Sequence, residues 1–157
     1  MKVQFLDIGN AYLHAPVTRD IYIDLPAEDY EDGMCGKCVK CMYGTKDAAQ
    51  NWEFYYTKIL SELGFRQGKS NPCVFYNADK DVRTVIHGDD FTSIGDEDVL
   101  NWFYTELSQQ LTVTCKGVLG PDVKDDKSVR ILNRIVTYSD NEIRYEADQR
   151  HAEIIIS

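Results

Sequence analysis

Val85-Ile86-His87-Gly88-Asp89-Asp90-Phe91-Thr92-Ser93-Ile94 sets two adjacent aspartates between two runs that read as β-strands. Val, Ile, Phe and Thr favour the half-buried surface of a sheet, while Gly and Asp tolerate the backbone angles of a tight turn. The stretch therefore reads as an antiparallel hairpin with its carboxylates at the tip. Taken alone, Gly-Asp-Asp is ordinary turn chemistry. A second acidic site changes its meaning: Phe5-Leu6-Asp7-Ile8-Gly9-Asn10-Ala11-Tyr12 delivers another aspartate at the C-terminal end of a strand. Like charges about 4 Å apart repel by about 1 kcal/mol in bulk water, and by more in a drier site. Gathered carboxylates are thus a poor structural device unless cations bind. Magnesium takes hard oxygen ligands, and two ions about 3.5–4 Å apart can clamp the attacking and leaving oxygens of a phosphoryl centre. Asp7, Asp89 and Asp90 are the candidate donors.

Working outward, Val3 to Asp7 reads as a short buried strand and Asn10 to Ala15 as a turn or short helix closed by Pro16. Ile21 to Leu25 alternates as a strand, Ala27 to Gly33 is an acidic loop, and Lys37 to Tyr43 returns as a strand. Asp47 is placed to N-cap the clearest helix, which runs to about Leu63 with Gly64 as its stop. Its Trp52, Tyr55, Tyr56, Ile59, Leu60 and Leu63 recur every three or four residues, a stripe that reads as core packing. Cys73 to Tyr76 and Arg83 to His87 are strands, Asp96 to Gln110 a second amphipathic helix, and Leu111 to Cys115 another strand. Val129 to Tyr138 and Glu142 to Tyr145 form a hairpin around Ser139-Asp140-Asn141, and a further helix starts at Asp148. This order is that of an α+β fold, an antiparallel sheet with helices packed on one face.

A chain of 157 residues with 43% hydrophobic content suits one domain with a real core. No apolar run approaches the roughly twenty residues that cross a bilayer, and no signal-peptide pattern opens the chain. The expectation is a soluble, intracellular protein without a membrane partner. Its net charge of −9 works against nucleic-acid binding by the chain alone, since phosphates reward Lys and Arg clusters. Five cysteines, an odd number, argue for reduced thiols. Cys35, Cys38 and Cys41 have C-x-x-C-x-x-C spacing, but a closed zinc site wants four ligands and no fourth follows nearby. Along a strand, Cys38 would also face away from Cys35 and Cys41.

The motifs carry a resemblance. Asp7-Ile8-Gly9-Asn10-Ala11-Tyr12-Leu13-His14 resembles the first palm motif of reverse transcriptases of Ty1/copia-class LTR retrotransposons. Tyr43-Gly44-Thr45-Lys46-Asp47-Ala48-Ala49 with Trp52 is similar to that family's second motif, with Ala49 standing where proline is usual. His87-Gly88-Asp89-Asp90 resembles the third, with His87 in place of an aromatic, and Leu119-Gly120 resembles the Leu-Gly element of the primer grip. Order and spacing agree across most of the chain, and together the motifs are specific.

The resemblance implies a right-hand polymerase palm in which Asp7, Asp89 and Asp90 hold two catalytic Mg²⁺ ions, with Mn²⁺ as a substitute. Asp90 would contribute charge more than direct ligation. Tyr12 falls at the family's steric-gate position, where a ring collides with a ribose 2′-hydroxyl and selects dNTPs. Gly44 and Lys46 would lie along the template and nucleotide side, and Leu119 with Gly120 would support the primer end. Implied partners are an RNA or DNA template with primer, dNTPs and the remaining Pol polyprotein segments. Implied locations are the cytoplasm or virus-like particles, with the nucleus also open. Met1 lies just before the first motif, so residues 1–157 are expected to be a partial palm domain, without fingers at the N-terminus and truncated at the C-terminus. Two alternatives stand beside this: an RNA-dependent RNA polymerase palm, and a non-catalytic metal-binding or interaction module built on Cys35, Cys38 and Cys41.

Overall fold

The computed structural model describes residues 1–139, 142–147 and 153–154. Among them lie three α-helices, the first being the short α1 (Ala11–His14), and three sheets. The main sheet is antiparallel throughout, and β1 (Lys2–Ile8) is its interior strand next to one edge. On one side β1 pairs with β7 (Asp90–Gly95), followed by β6 (Val82–His87), β5 (Val74–Asn77) and β4 (Arg66–Gln67). On its other side it pairs with β8 (Val113–Leu119). The quoted stretch is therefore the β6–β7 hairpin, inserted directly beside the first strand of the chain.

Period-two alternation divides the strands between two cores. Leu6 and Ile8 of β1, Ile86 of β6 and Phe91 of β7 join α2 (Ala48–Glu62) and α3 (Glu97–Ser108) in one buried cluster. Trp52, Tyr56, Ile59 and Leu60 of α2 and Leu100, Phe103 and Leu107 of α3 complete it, so the apolar stripes do face the sheet. Val3 and Phe5 instead join Leu119, Val129 and Val136 in a second cluster. That cluster packs against a small sheet of β9 (Ser128–Ile131), β10 (Arg134–Ser139) and β11 (Glu142–Ala147). The result is a mixed α+β fold. Among the described residues no helix is long and apolar enough to cross a membrane.

Several local expectations need correction. The stretch Lys37 to Tyr43 is not a strand: only Gly36–Lys37 (β3) pairs, with β2 (Tyr22–Ile23), and Lys40 makes an isolated bridge to Pro16. β2 is likewise shorter than Ile21 to Leu25. Asp47 precedes α2 but makes no side-chain cap; its carboxylate takes two 3.1 Å hydrogen bonds from Arg19 instead. Gly64 stops α2 as expected, at φ +85°, with Phe65 N–H donating to Leu60 and Gly64 N–H to Ser61. Val129 to Tyr138 is two strands, because Leu132 and Asn133 turn the chain at φ +48° and +57°. β8 runs past Cys115 to Leu119. The turn residues Asp140 and Asn141, and the helix expected from Asp148, lie outside the described residues.

Candidate active site

The two acidic motifs meet because β7 returns beside β1. Asp7 and Asp90 are direct partners in that ladder, His87 pairs with Asp90 from β6, and Thr114 pairs with Asp7 from β8. One row across four strands thus reads His87, Asp90, Asp7, Thr114. Asp89 sits in the adjoining turn, where its carbonyl accepts the Ile8 N–H at 2.9 Å and fastens the hairpin tip to the end of β1. Asp89 and His87 are exposed, while Asp7 and Asp90 are half-buried.

The electrostatics match this crowding. Partial burial, followed by the charges of Asp89 and Asp7, pushes the Asp90 carboxyl above the usual carboxylate range, against the opposing pull of His87 and Lys116. A protein cation stands at the site, with Lys116 Nζ 3.5 Å from Asp7 Oδ2. The donor set therefore fits a hard divalent cation in its chemistry: carboxylate oxygens that repel one another and already draw an ammonium group. Among the described residues no three carboxylate, thiol or imidazole groups are gathered around one point. This holds for the aspartates as they stand, and for the cysteine motif. Cys35 is exposed, whereas Cys41 is buried, with its thiol donating to the Pro16 carbonyl and accepting from Asn51 Nδ2, each at 3.3 Å.

The hairpin tip is held from the helix side. Gly88 takes φ +65°, a left-handed conformation that suits glycine, with open space where a Cβ would stand. Its carbonyl accepts a 2.8 Å hydrogen bond from Trp52 Nε1, whose ring is almost fully buried and packs edge-on against Tyr56. Trp52 is the core residue that its spacing suggests and a fastener of the acidic turn as well. In front of the turn, Tyr12 packs against Tyr43 with ring centroids 4.6 Å apart and the ring planes tilted by 39°. These two rings, Ala11, Gly88 and Asp89 line a cleft of about 230 Å³.

The remaining candidates lie further out. Gly44 has φ +85° and is exposed, in the turn that leads to α2, and Lys46 is exposed two residues on. Leu119 is buried in the second core, and Gly120 is buried where a Cβ would meet Asp125 at 2.3 Å and Lys2 at 3.0 Å. Neither surfaces among the aspartates. Tyr43 and Trp52 belong to the second motif, but their contacts with Tyr12 and Gly88, and that of Lys116 with Asp7, are not legible in the sequence. The Trp52 bond needed the hairpin's position, and the Lys116 contact depends on strand register, which no local pattern announces.

Residues 1–132 match the family described as reverse transcriptase (RNA-dependent DNA polymerase), and the chain belongs to that family. Within it, the chain is distantly homologous to the Pol polyproteins of Ty1/copia elements. It is 24% identical over 144 residues to the Retrovirus-related Pol polyprotein from transposon TNT 1-94 of Nicotiana tabacum, covering 84% of this chain and 11% of that protein. It is 25% identical over 142 residues to the truncated transposon Ty1-A Gag-Pol polyprotein of Saccharomyces cerevisiae, covering 90% of this chain and 10% of the relative. The Ty1-DR5 Gag-Pol polyprotein of the same yeast matches with the same identity and 7% of its own length. The chain thus spans about a tenth or less of the length of these relatives.

Proposed function

We propose that this chain is the palm of a Ty1/copia-type RNA-directed DNA polymerase, which transfers a deoxynucleotide from a dNTP to a primer 3′-hydroxyl. Asp7, Asp89 and Asp90 are the residues that would hold two Mg²⁺ ions, with Mn²⁺ as a substitute. The observation that carries this reading is the direct pairing of Asp7 with Asp90, with Asp89 in the adjoining turn. Bound ions supply Lewis-acid polarisation of phosphoryl oxygens and stabilise the attacking and leaving oxygens.

The chain's own residues do the rest by position. Trp52 and the Ile8 N–H restrain the turn that carries Asp89, which keeps the carboxylates near one geometry. Tyr12, braced on Tyr43, forms the wall against which a ribose 2′-hydroxyl would collide. Gly44 and exposed Lys46 would lie along the template and nucleotide side. Leu119, buried in the second core at the end of β8, and Gly120, close against Asp125 and Lys2, would support the primer end. With 26 acidic against 17 basic residues, the chain's grip on phosphate is weak, so binding of a primed RNA or DNA template draws on other Pol segments. The setting would be the cytoplasm or virus-like particles.

Primer extension on a primed RNA template tests the assignment. Mg²⁺-dependent incorporation of dNTPs, lost in Asp7→Asn, is the expected result. Incorporation of NTPs alone would transfer the chain to the RNA-dependent RNA polymerases, and extension indifferent to Asp7→Asn would remove the site.

A further inference from the structure

The ladder between β1 and β8 carries one irregularity. Leu6 pairs with Cys115 and Phe5 with Gly117, so Lys116 is an extra residue in β8, the mark of a β-bulge. Gly117 takes the place opposite Phe5 where a Cβ would strike Val129 at 2.7 Å and Asp126 at 2.8 Å. The tight packing of the second core is therefore met by glycine, and Lys116 is left outside the ladder. Bulges beside functional sites re-aim a side chain. Here the ammonium group reaches Asp7 Oδ2 at 3.5 Å, with both side chains partly open to solvent at 48% and 30%.

Resting on the reading of Asp7 as a metal-holding residue, we propose that Lys116 is a counter-cation built into the fold, which occupies Asp7 until a divalent ion displaces it. The two cations claim the same carboxylate, so each weakens the other's hold. Because the lysine pair is half-exposed, the competition is modest, about two- to fivefold in ion affinity.

Mn²⁺ alone is the probe, with bound ion measured by electron paramagnetic resonance on the full chain. Lys116→Met is expected to bind Mn²⁺ about two- to fivefold more tightly than the parent, and Lys116→Arg, which keeps the charge, to match the parent. Asp7→Asn is expected to abolish the site in either background. Unchanged or weaker binding in Lys116→Met, with Asp7→Asn still abolishing it, overturns the proposal and leaves the metal site standing. An equal gain in Lys124→Met, whose lysine pairs with Glu97 rather than Asp7, also overturns it, since that gain would come from net charge alone. Mn²⁺ binding that ignores Asp7→Asn, or none in any variant, overturns the metal site and the proposal together.

Discussion

Trp52 and Gly88 are joined by a 2.8 Å hydrogen bond from the indole Nε1–H to the turn carbonyl, 36 residues apart in sequence. The bond ties the main helix to the residue immediately before the Asp89-Asp90 pair. Trp52→Phe keeps an aromatic ring in the core but removes the donor. The expected cost in stability is about 1–3 kcal/mol, from a lost bond and a partly filled site. Looser carboxylates would lower nucleotide transfer by about ten- to hundredfold. Urea melts and single-turnover primer extension measure the two effects separately.

Tyr12 is held by Tyr43 against the cleft that also exposes Asp89. Tyr12→Ala opens that cleft without touching a carboxylate. Discrimination against NTPs should fall by at least about tenfold, read as the ratio of kcat/KM for dNTP and NTP. An unchanged ratio would show that the sugar is sensed elsewhere.

The crowding around Asp90 gives a stability change of unusual sign. Burial and the charges of Asp89 and Asp7 raise its carboxyl above the ordinary range, so its ionised form weakens the metal-free fold. Metal-free protein should therefore gain stability from this group as pH falls through the raised value, and the gain levels off near the unfolded Asp value of about 3.9. Asp90→Asn removes that pH dependence and should melt higher than the parent at neutral pH, although it removes a proposed ion-holding group. Calorimetry across pH 4–8, a range set by these carboxylate values, checks both points.

Lys2 behaves in the opposite way. Its buried ammonium group touches Asp125 Oδ1 at 2.7 Å, Asp122 Oδ2 at 2.8 Å and Glu97 Oε2 at 2.9 Å. Hydrogen bonds to Asp122 and Asp125 raise the Lys2 pKa, and Lys2 in turn holds Asp125 below the usual carboxylate range. Glu97 is lowered first by Lys124 and then by Lys2. The carboxylate contribution is full above about pH 4 and is lost as pH falls through the depressed folded values; the lysine contribution is full below its unfolded pKa of about 10.4. Lys2→Met should lower Tm by several degrees at neutral pH, with the difference from the parent shrinking in acid.

Much of the fold was legible because its signals are local. The 3.6-residue stripes of α2 and α3, the left-handed stop at Gly64 and the alternation of β6 and β7 each depend on neighbours within a few residues. The misread elements depended on distant partners. Asp47 has the composition of a helix cap, but Arg19 claims its carboxylate. Lys37 to Tyr43 has a strand-like pattern, yet only Gly36 and Lys37 find a ladder partner. Leu132 and Asn133 turn where the residue pattern is that of an unbroken strand, and Leu is a poor advertisement for a positive φ.

The sequence by itself determined the chemistry on offer: three aspartates at strand ends, a tyrosine five residues after the first, and motifs sufficient to indicate the family. Identity and spacing survive in one dimension, because each strand brings its own residues to its own end. Only the tertiary structure decided which groups meet. The pairing of β7 with β1 puts Asp90 opposite Asp7, the packing of α2 brings the Trp52 indole under the turn, and a one-residue bulge sends Lys116 to Asp7. Register is set by the packing of two cores on opposite faces of β1, which no short stretch of the chain contains.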